Sequence, residues 1–294
     1  MAAMDVPLME FRLMNKGGFD RRVVPALVEL IRRQRIDLVH SHLYHANLYG
    51  RLAARKAGIP AVVSIHNTYG KPKVHRRIIN WYLSRHTAAI IVGSEDIRRD
   101  VERYDHVSAS RIVVIPNSVD LARSASTLSK LEARARLGLT EHELVLGSIG
   151  RLEKQKGHRY LIEAMALLRR RGMVARLLLA GEGRERLALE ALVASLGLEQ
   201  QVVLLGTRTD LGDLFRAMDV FVMPSLWEGL SLVMLSAMAA GVPVVATSVG
   251  GVSQVLCNDE YGFTVPAGNA AALADKISEC LPNLPAAMVK GMKA

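Results

Sequence analysis

The second half of this 294-residue chain contains charged residues whose types and spacing suit the chemistry of anions and hydroxyls. In "GSIGRLEKQKG" an apolar run ends at Gly150, and Arg151 and Lys156 follow just ahead of a helical pattern. Two cations beside the free amides of a helix start suit a diphosphate; alone, the same loop also reads as a solvated basic turn. "AGEGRE" puts Gly181 and Gly183 at the end of the next strand, where missing side chains let a ligand approach the backbone. Tight strand-to-helix turns also carry glycine for geometry alone. "SLWEGLS" sets one carboxylate, Glu228, and then Gly229, Leu230 and Ser231, before a helix whose first amides can meet hydroxyl or phosphate oxygens. The competing reading makes Glu228 an acidic helix-start residue. Eight positions later stands Ser236. No second carboxylate accompanies Glu228, as a glycoside hydrolase requires. No GxGxxG occurs at either place where a dinucleotide fold needs one, so a dehydrogenase loses its main support.

These residues must be positioned by strands and helices that alternate along the chain. Short apolar runs over 36–42, 60–66, 88–94 and 111–120 read as strands, with helical spacing between them over 48–58 and 74–86. After "PNSVD" the stretch "LARSASTLSKLEARARLGL" is small and polar, which places a boundary near Asp120 and predicts domains over 1–120 and 121–294. A second set of buried parallel strands follows over 144–150, 175–181, 201–206, 219–225 and 242–248. Gly58, Gly172 and Gly197 fall where helix C-caps belong. Pattern alone therefore gives two doubly wound α/β domains, and in such sheets the loops at the carboxyl ends of the strands line the ligand crevice.

Composition narrows the partners. Residues 1–118 hold 19 Lys and Arg against 10 Asp and Glu, and the remainder 19 against 18, so the net +10 belongs almost wholly to the N-terminal half. Such a half attracts a phosphorylated substrate, an anionic membrane or nucleic acid. Only 5% aromatic residues, with no zinc-finger or RNA-binding signature, argues against nucleic acid. No apolar run reaches the roughly 18 to 20 residues of a membrane span. Only Cys257 and Cys280 occur, without pairing or metal spacing, and the first residues lack the layout of a signal peptide, so a cytoplasmic location is expected.

The order "GRLEKQKG", "AGEGRE", "VVLLGTRTDLGDLFRAMDVFVMPSLWEGLSLVMLSAMAAGVPVVAT", "GGVSQVL" and "YGFTVPAGN" resembles the donor domain of glycosyltransferase family 4, with a fainter resemblance in "DLVHSH", "VVSIHN" and "VIPNSVD". The family consists of retaining enzymes of the GT-B fold, two Rossmann-like parallel-sheet domains facing across a cleft. The resemblance implies that Arg151 and Lys156, with Gly150 and Gly183, hold the diphosphate of a UDP-, GDP- or ADP-sugar. Glu228 would contact the sugar, assisted by amides around Gly229, Leu230 and Ser231, and His66 would face the transferred sugar. It implies no metal and no cofactor beyond the sugar nucleotide, and a glycan or lipid-linked acceptor, with a role in cell-surface polysaccharide synthesis.

Two departures accompany this resemblance. The family places a second glutamate, against the ribose, where this chain has Ser236, so a direct ribose contact is expected to be lost. Family members also carry elements before and after this stretch, so the chain is expected to be truncated at both ends and its N-terminal domain incomplete. Three readings follow. The first is a retaining hexosyltransferase, and the others are a non-catalytic remnant that at most binds nucleotide sugar and a GT-B sugar-nucleotide epimerase. In "HSHLYHAN", His40 and His42 share one face of a strand and suit an acceptor or loop contact better than a metal. "KPKVHRRIINWYLSRH" combines Lys71, Lys73, Arg76, Arg77 and Arg85 with Ile78, Ile79, Trp81, Tyr82 and Leu83. That helix either rests peripherally on an anionic inner membrane face or packs its apolar side on its own sheet, and packing is the preferred reading.

Overall fold

The computed structural model describes residues 8–10, 19–68, 74–256 and 260–281, without the Arg123 side chain. The chain divides into two compact units, one within residues 1–66, 71–92 and 98–114 and the other within 67–70, 93–97 and 115–294.

The first unit runs α1 (Val23–Arg33), β1 (Val39–His42), α2 (Tyr44–Ala57), β2 (Ala61–Ile65), α3 (Val74–Ser84), β3 (Ala89–Val92), most of α4 (Glu95–Asp105), from Arg98 on, and β4 (Ile112–Val114). Its strands are parallel and lie in chain order. Gly58, at φ 77°, ends α2 in the left-handed region that glycine enters without strain. A buried polar chain ties the helices together. Arg51 Nη2 donates to Asn80 Oδ1 at 2.9 Å, and Asn80 Nδ2 donates to Asp105 Oδ1 at 3.2 Å.

That polar chain decides how α3 is turned. Asn80 and Ser84 face inward with Leu83, while Val74, Ile78, Trp81 and Tyr82 are exposed. The preferred expectation, that the apolar side of this helix packs on its own sheet, holds for the buried Leu83 and fails for Ile78, Trp81 and Tyr82, while Ile79 is half-buried. An inward amide satisfied by Arg51 and Asp105 takes the place that an apolar stripe would have filled. Lys71 and Lys73 lie outside the described residues, as does Cys257.

In the second unit, α5 (Leu121–Ser124) and α6 (Lys130–Arg136) precede β5 (Val145–Ile149), α7 (His158–Arg170), β6 (Arg176–Ala180), α8 (Arg186–Ser195), β7 (Val202–Gly206) and α9 (Leu211–Ala217). The chain continues through β8 (Val220–Met223), α10 (Leu232–Ala239), β9 (Val244–Thr247), α11 (Val252–Val255), β10 (Phe263–Val265) and α12 (Ala270–Cys280). The sheet is parallel, ordered β10-β9-β8-β5-β6-β7. Leu146, Leu177, Val220 and Val245 face a core shared with α7, α8 and α12, while Val145, Leu178, Phe221 and Val244 face one shared with α9 and α10. Burial on both faces is why these strands read as unbroken apolar runs. Strand β10 was not expected, since three residues carry too little pattern. The chain steps outward from β5 through β6 to β7, then returns to the other side of β5 as β8, β9 and β10. The order therefore reverses between β5 and β8, the place where open α/β sheets bind ligands.

One buried ion pair fastens α6 to this sheet. Arg134, 3% exposed, bonds Asp219 Oδ2 at 2.7 Å through Nη2 and the Ala217 carbonyl at 3.1 Å through Nε. Asp219 also takes the Val145 N–H at 2.7 Å and Lys130 Nζ at 2.6 Å. Removing Arg134 takes the buried cation from Asp219, leaving that carboxylate with the more exposed Lys130 and the Val145 N–H. Arg134→Ala is expected to cost about 3 kcal/mol, read from the urea midpoint at unchanged slope. A loss below about 0.5 kcal/mol, the range of ordinary surface changes, would deny the pair that role.

Candidate active site

In the second unit the residues that the sequence singled out lie, except for Ser236 in α10, on the loops that leave β5, β6 and β8. Those loops touch backbone to backbone. Gly150 N–H donates to the Ala180 carbonyl at 2.9 Å and Leu152 N–H to the Glu182 carbonyl at 2.9 Å. A Cβ on Gly181, whose φ is 141°, would lie 2.0 Å from the Gly150 oxygen, and one on Gly183 would lie 2.3 Å from the Leu152 oxygen. The space left by these two glycines is taken by the neighbouring loop. Gly157, at φ 63°, is equally constrained, because its Cβ would meet the Pro224 carbonyl at 2.1 Å.

The same turn is stitched to the loop after β8. Gln155 Nε2 donates to the Trp227 carbonyl at 3.0 Å, and Leu226 N–H donates to the Gln155 carbonyl at 2.7 Å. This brings Lys156 onto Glu228, with Nζ paired to Oε2. Ser225 Oγ stands 3.4 Å from the same carboxylate oxygen. Glu228 is only 8% exposed, so its charge rests on these partners. Arg151 is exposed, and among the described residues no carboxylate pairs with it.

Glu228 lies ahead of the helix it precedes. Ser231 caps α10 by accepting the Met234 N–H at 3.4 Å, so Glu228 is a loop residue, not part of the first turn. Leu230 is buried, with its carbonyl held at 2.8 Å by Asn117 Nδ2. Gly250, at φ 53°, lets the following loop close over the Glu228 carbonyl, which its Cβ would meet at 2.0 Å. Thr247 Oγ1 donates to the Ser225 carbonyl at 2.5 Å and fixes where the β8 loop leaves the sheet. Ser236 sits half-buried within α10.

His66 belongs to the first unit. It follows β2, and its Nε2 lies 2.9 Å from His42 Nδ1 at the end of β1. His40 Nε2 contacts Ser64 Oγ at 2.9 Å, and the His40 and His42 rings are 4.4 Å apart. Partial burial, then the nearby His42 and His40, hold the His66 pKa below its usual value, which keeps the ring neutral. Among the described residues no group of three or more His, Cys, Asp or Glu is arranged to hold a metal ion.

Sequence reading missed the residues that fix the loops, namely Asn117, Gln155, Ser225 and Thr247. Asn117 carried a signal, since it interrupts an apolar strand in "VIPNSVD". The others are ordinary polar residues whose carbonyl partners lie far along the chain.

Comparison with known proteins shows the family and the fold. Residues 143–283 match the family model described as glycosyl transferases group 1, and residues 4–123 match that of glycosyltransferase family 4. The chain is 32% identical to the D-inositol 3-phosphate glycosyltransferase of Pseudarthrobacter chlorophenolicus, covering 92% of this chain and 69% of that one. It is 29% identical to the UDP-Gal:alpha-D-GlcNAc-diphosphoundecaprenol alpha-1,3-galactosyltransferase of Escherichia coli, covering 84% of this chain and 66% of the relative. Anabaena Alr3699/HepE in complex with UDP-glucose superposes with a TM-score of 0.83 at 25% identity, over 91% of this chain and 74% of that one. The expected GT-B fold is thereby shown. Against such curated relatives the chain spans 54% to 69% of their length.

His158, the first residue of α7, lies behind the Lys156 turn. Burial, then the Lys156 charge, pushes its pKa from 6.5 down to about 4, and Nδ1 is buried without a partner. Between those values the unfolded chain binds a proton that the folded chain does not. Stability is therefore full above about pH 6.5 and is lost as pH falls toward 4, by roughly 3 kcal/mol at most. Urea melts of the protein and of His158→Gln across that window are expected to diverge with acidification. Parallel profiles would remove His158 as the cause.

Proposed function

The chain belongs to glycosyltransferase family 4, and on that premise we propose that it moves a hexose from a nucleotide diphosphate sugar to a hydroxyl of a glycan or lipid-linked saccharide, with retention of configuration. The observation that carries this reading is the gathering of Arg151, Lys156 and Glu228 where the strand order of the second unit reverses. Cleavage of a sugar–phosphate bond leaves charge on the diphosphate, and fixed cations stabilise it as it grows. Glu228, buried and acceptor-only when ionised, suits the hydroxyls of the sugar. A departing phosphate can take the acceptor's proton on the face it leaves, which accounts for retention without a second carboxylate. His66, neutral, can hydrogen-bond a sugar hydroxyl. UDP-glucose in the similar Anabaena protein favours uracil among the three bases.

The exposed side of α3 supports a peripheral place on an anionic inner membrane face. Ile78, Trp81 and Tyr82 lie within about two turns of both Arg76 and Arg85, Val74 stands two residues before Arg76, and the Arg85 guanidinium sits 3.7 Å from the Trp81 ring centroid. Among the described residues no helix is long and apolar enough to cross a membrane. The chain is expected to co-sediment with phosphatidylserine vesicles at low salt, and Ile78→Ser with Trp81→Ser to abolish this. No sedimentation with either chain would remove the membrane from the proposal.

Calorimetric titration with UDP, GDP and ADP tests the donor site. One nucleotide is expected to bind, and Arg151→Ala to lose it. Ser236→Glu is expected to tighten binding about ten- to a hundredfold by supplying a charged ribose partner. Free nucleotide diphosphate should appear only when acceptor is present, whereas an epimerase would convert donor alone. No binding by a folded chain would leave the non-catalytic remnant as the reading.

A further inference from the structure

Arg151 and Lys156, the two cations of the basic loop assigned to the diphosphate, are not equivalent. Arg151 is exposed, whereas Lys156 is already engaged by Glu228. The side chains of that pair are 17% and 11% exposed, so neither can exchange its partner freely for water. A diphosphate reaching Lys156 brings a second anion to the same ammonium, and like charge beside a buried carboxylate is unfavourable. The carboxylate must then find other donors. Ser225 Oγ, at 3.4 Å, is the nearest hydroxyl, and one hydroxyl cannot satisfy two carboxylate oxygens.

We propose that Glu228 discriminates the sugar-bearing donor from the bare nucleoside diphosphate by giving up Lys156 only in exchange for sugar hydroxyls. The inference rests on the donor-site reading above. With a sugar nucleotide bound, the diphosphate takes Lys156 and the sugar's hydroxyls replace the ammonium at Glu228, so the carboxylate stays paired. With a nucleoside diphosphate alone, the carboxylate loses its cation and gains nothing. The pair thus lowers affinity for the product while leaving affinity for the donor, and product departs once its sugar has been transferred.

A double-mutant cycle reads this directly. The protein, Glu228→Gln, Lys156→Gln and the double variant are titrated calorimetrically with UDP, GDP and ADP, and then with UDP-glucose, GDP-mannose and ADP-glucose. A thermal melt of each establishes that it is folded. Glu228→Gln is expected to bind the nucleoside diphosphate about fivefold or more tightly than the protein does, and to lose its preference for the sugar conjugate. In the Lys156→Gln background the same change is expected to give no gain. Unchanged or weaker nucleoside diphosphate binding in Glu228→Gln overturns the proposal. So does an equal gain in both backgrounds, which would reduce Glu228 to a general repulsive charge. If the folded protein binds none of the nucleotides, the donor-site reading fails and takes this inference with it. Binding by the protein without a gain in Glu228→Gln defeats this inference alone.

Discussion

Adjacent loops at the carboxyl end of the six-stranded sheet approach so closely that no Cβ fits between them. Gly157, Gly181, Gly183 and Gly250 each face a carbonyl oxygen of a neighbouring loop, and any side chain there would overlap it. Close-packed backbone cannot yield by a rotamer change, as a flexible side chain can. The loops after β5, β6, β8 and β9 therefore behave as one rigid rim. Every proposed donor contact in the second unit except Ser236 lies on that rim.

Rigidity explains how a carboxylate and an ammonium come to face each other there. Lys156 and Glu228 sit on loops that leave adjacent strands, β5 and β8, and the Gln155 bonds to Leu226 and Trp227 fix the distance between them. A mobile pair would pay side-chain entropy to meet and would be worth little. Here the backbone is ordered before the charges are considered, so their attraction needs only to offset the loss of water. His158 belongs to the same logic. Burying it behind the turn closes the back of the loop at the expense of a ring that cannot take a proton at ordinary pH.

The first unit uses polar groups differently. Its histidines line up across β1 and β2 because the strands are parallel, with His40 beside Val62 and His42 beside Ser64 in register, so alternate residues share a face. Its buried Arg51, Asn80 and Asp105 turn α3, and the apolar stripe they displace becomes surface. One amide pointing inward thus leaves Ile78, Trp81 and Tyr82 on the surface.

Much of this was legible in the chain. Nine of the ten strands among the described residues could be placed from the sequence, and the central strands of the second sheet left the plainest local record, because a strand buried on both faces needs an unbroken apolar run. The glycines at the ends of α2, α7 and α8 marked their own positions by the same locality, and the charged residues of the donor loops were recognisable by type and order. The sequence did not determine what those residues touch. The use of Gly181 and Gly183 for loop packing, the engagement of Lys156 by Glu228, the hold of Asn117 on Leu230 and the outward turn of α3 each depend on atoms far apart in the chain. Such contacts are set by distances of a few ångströms, which periodicity does not encode and only the packed structure decides.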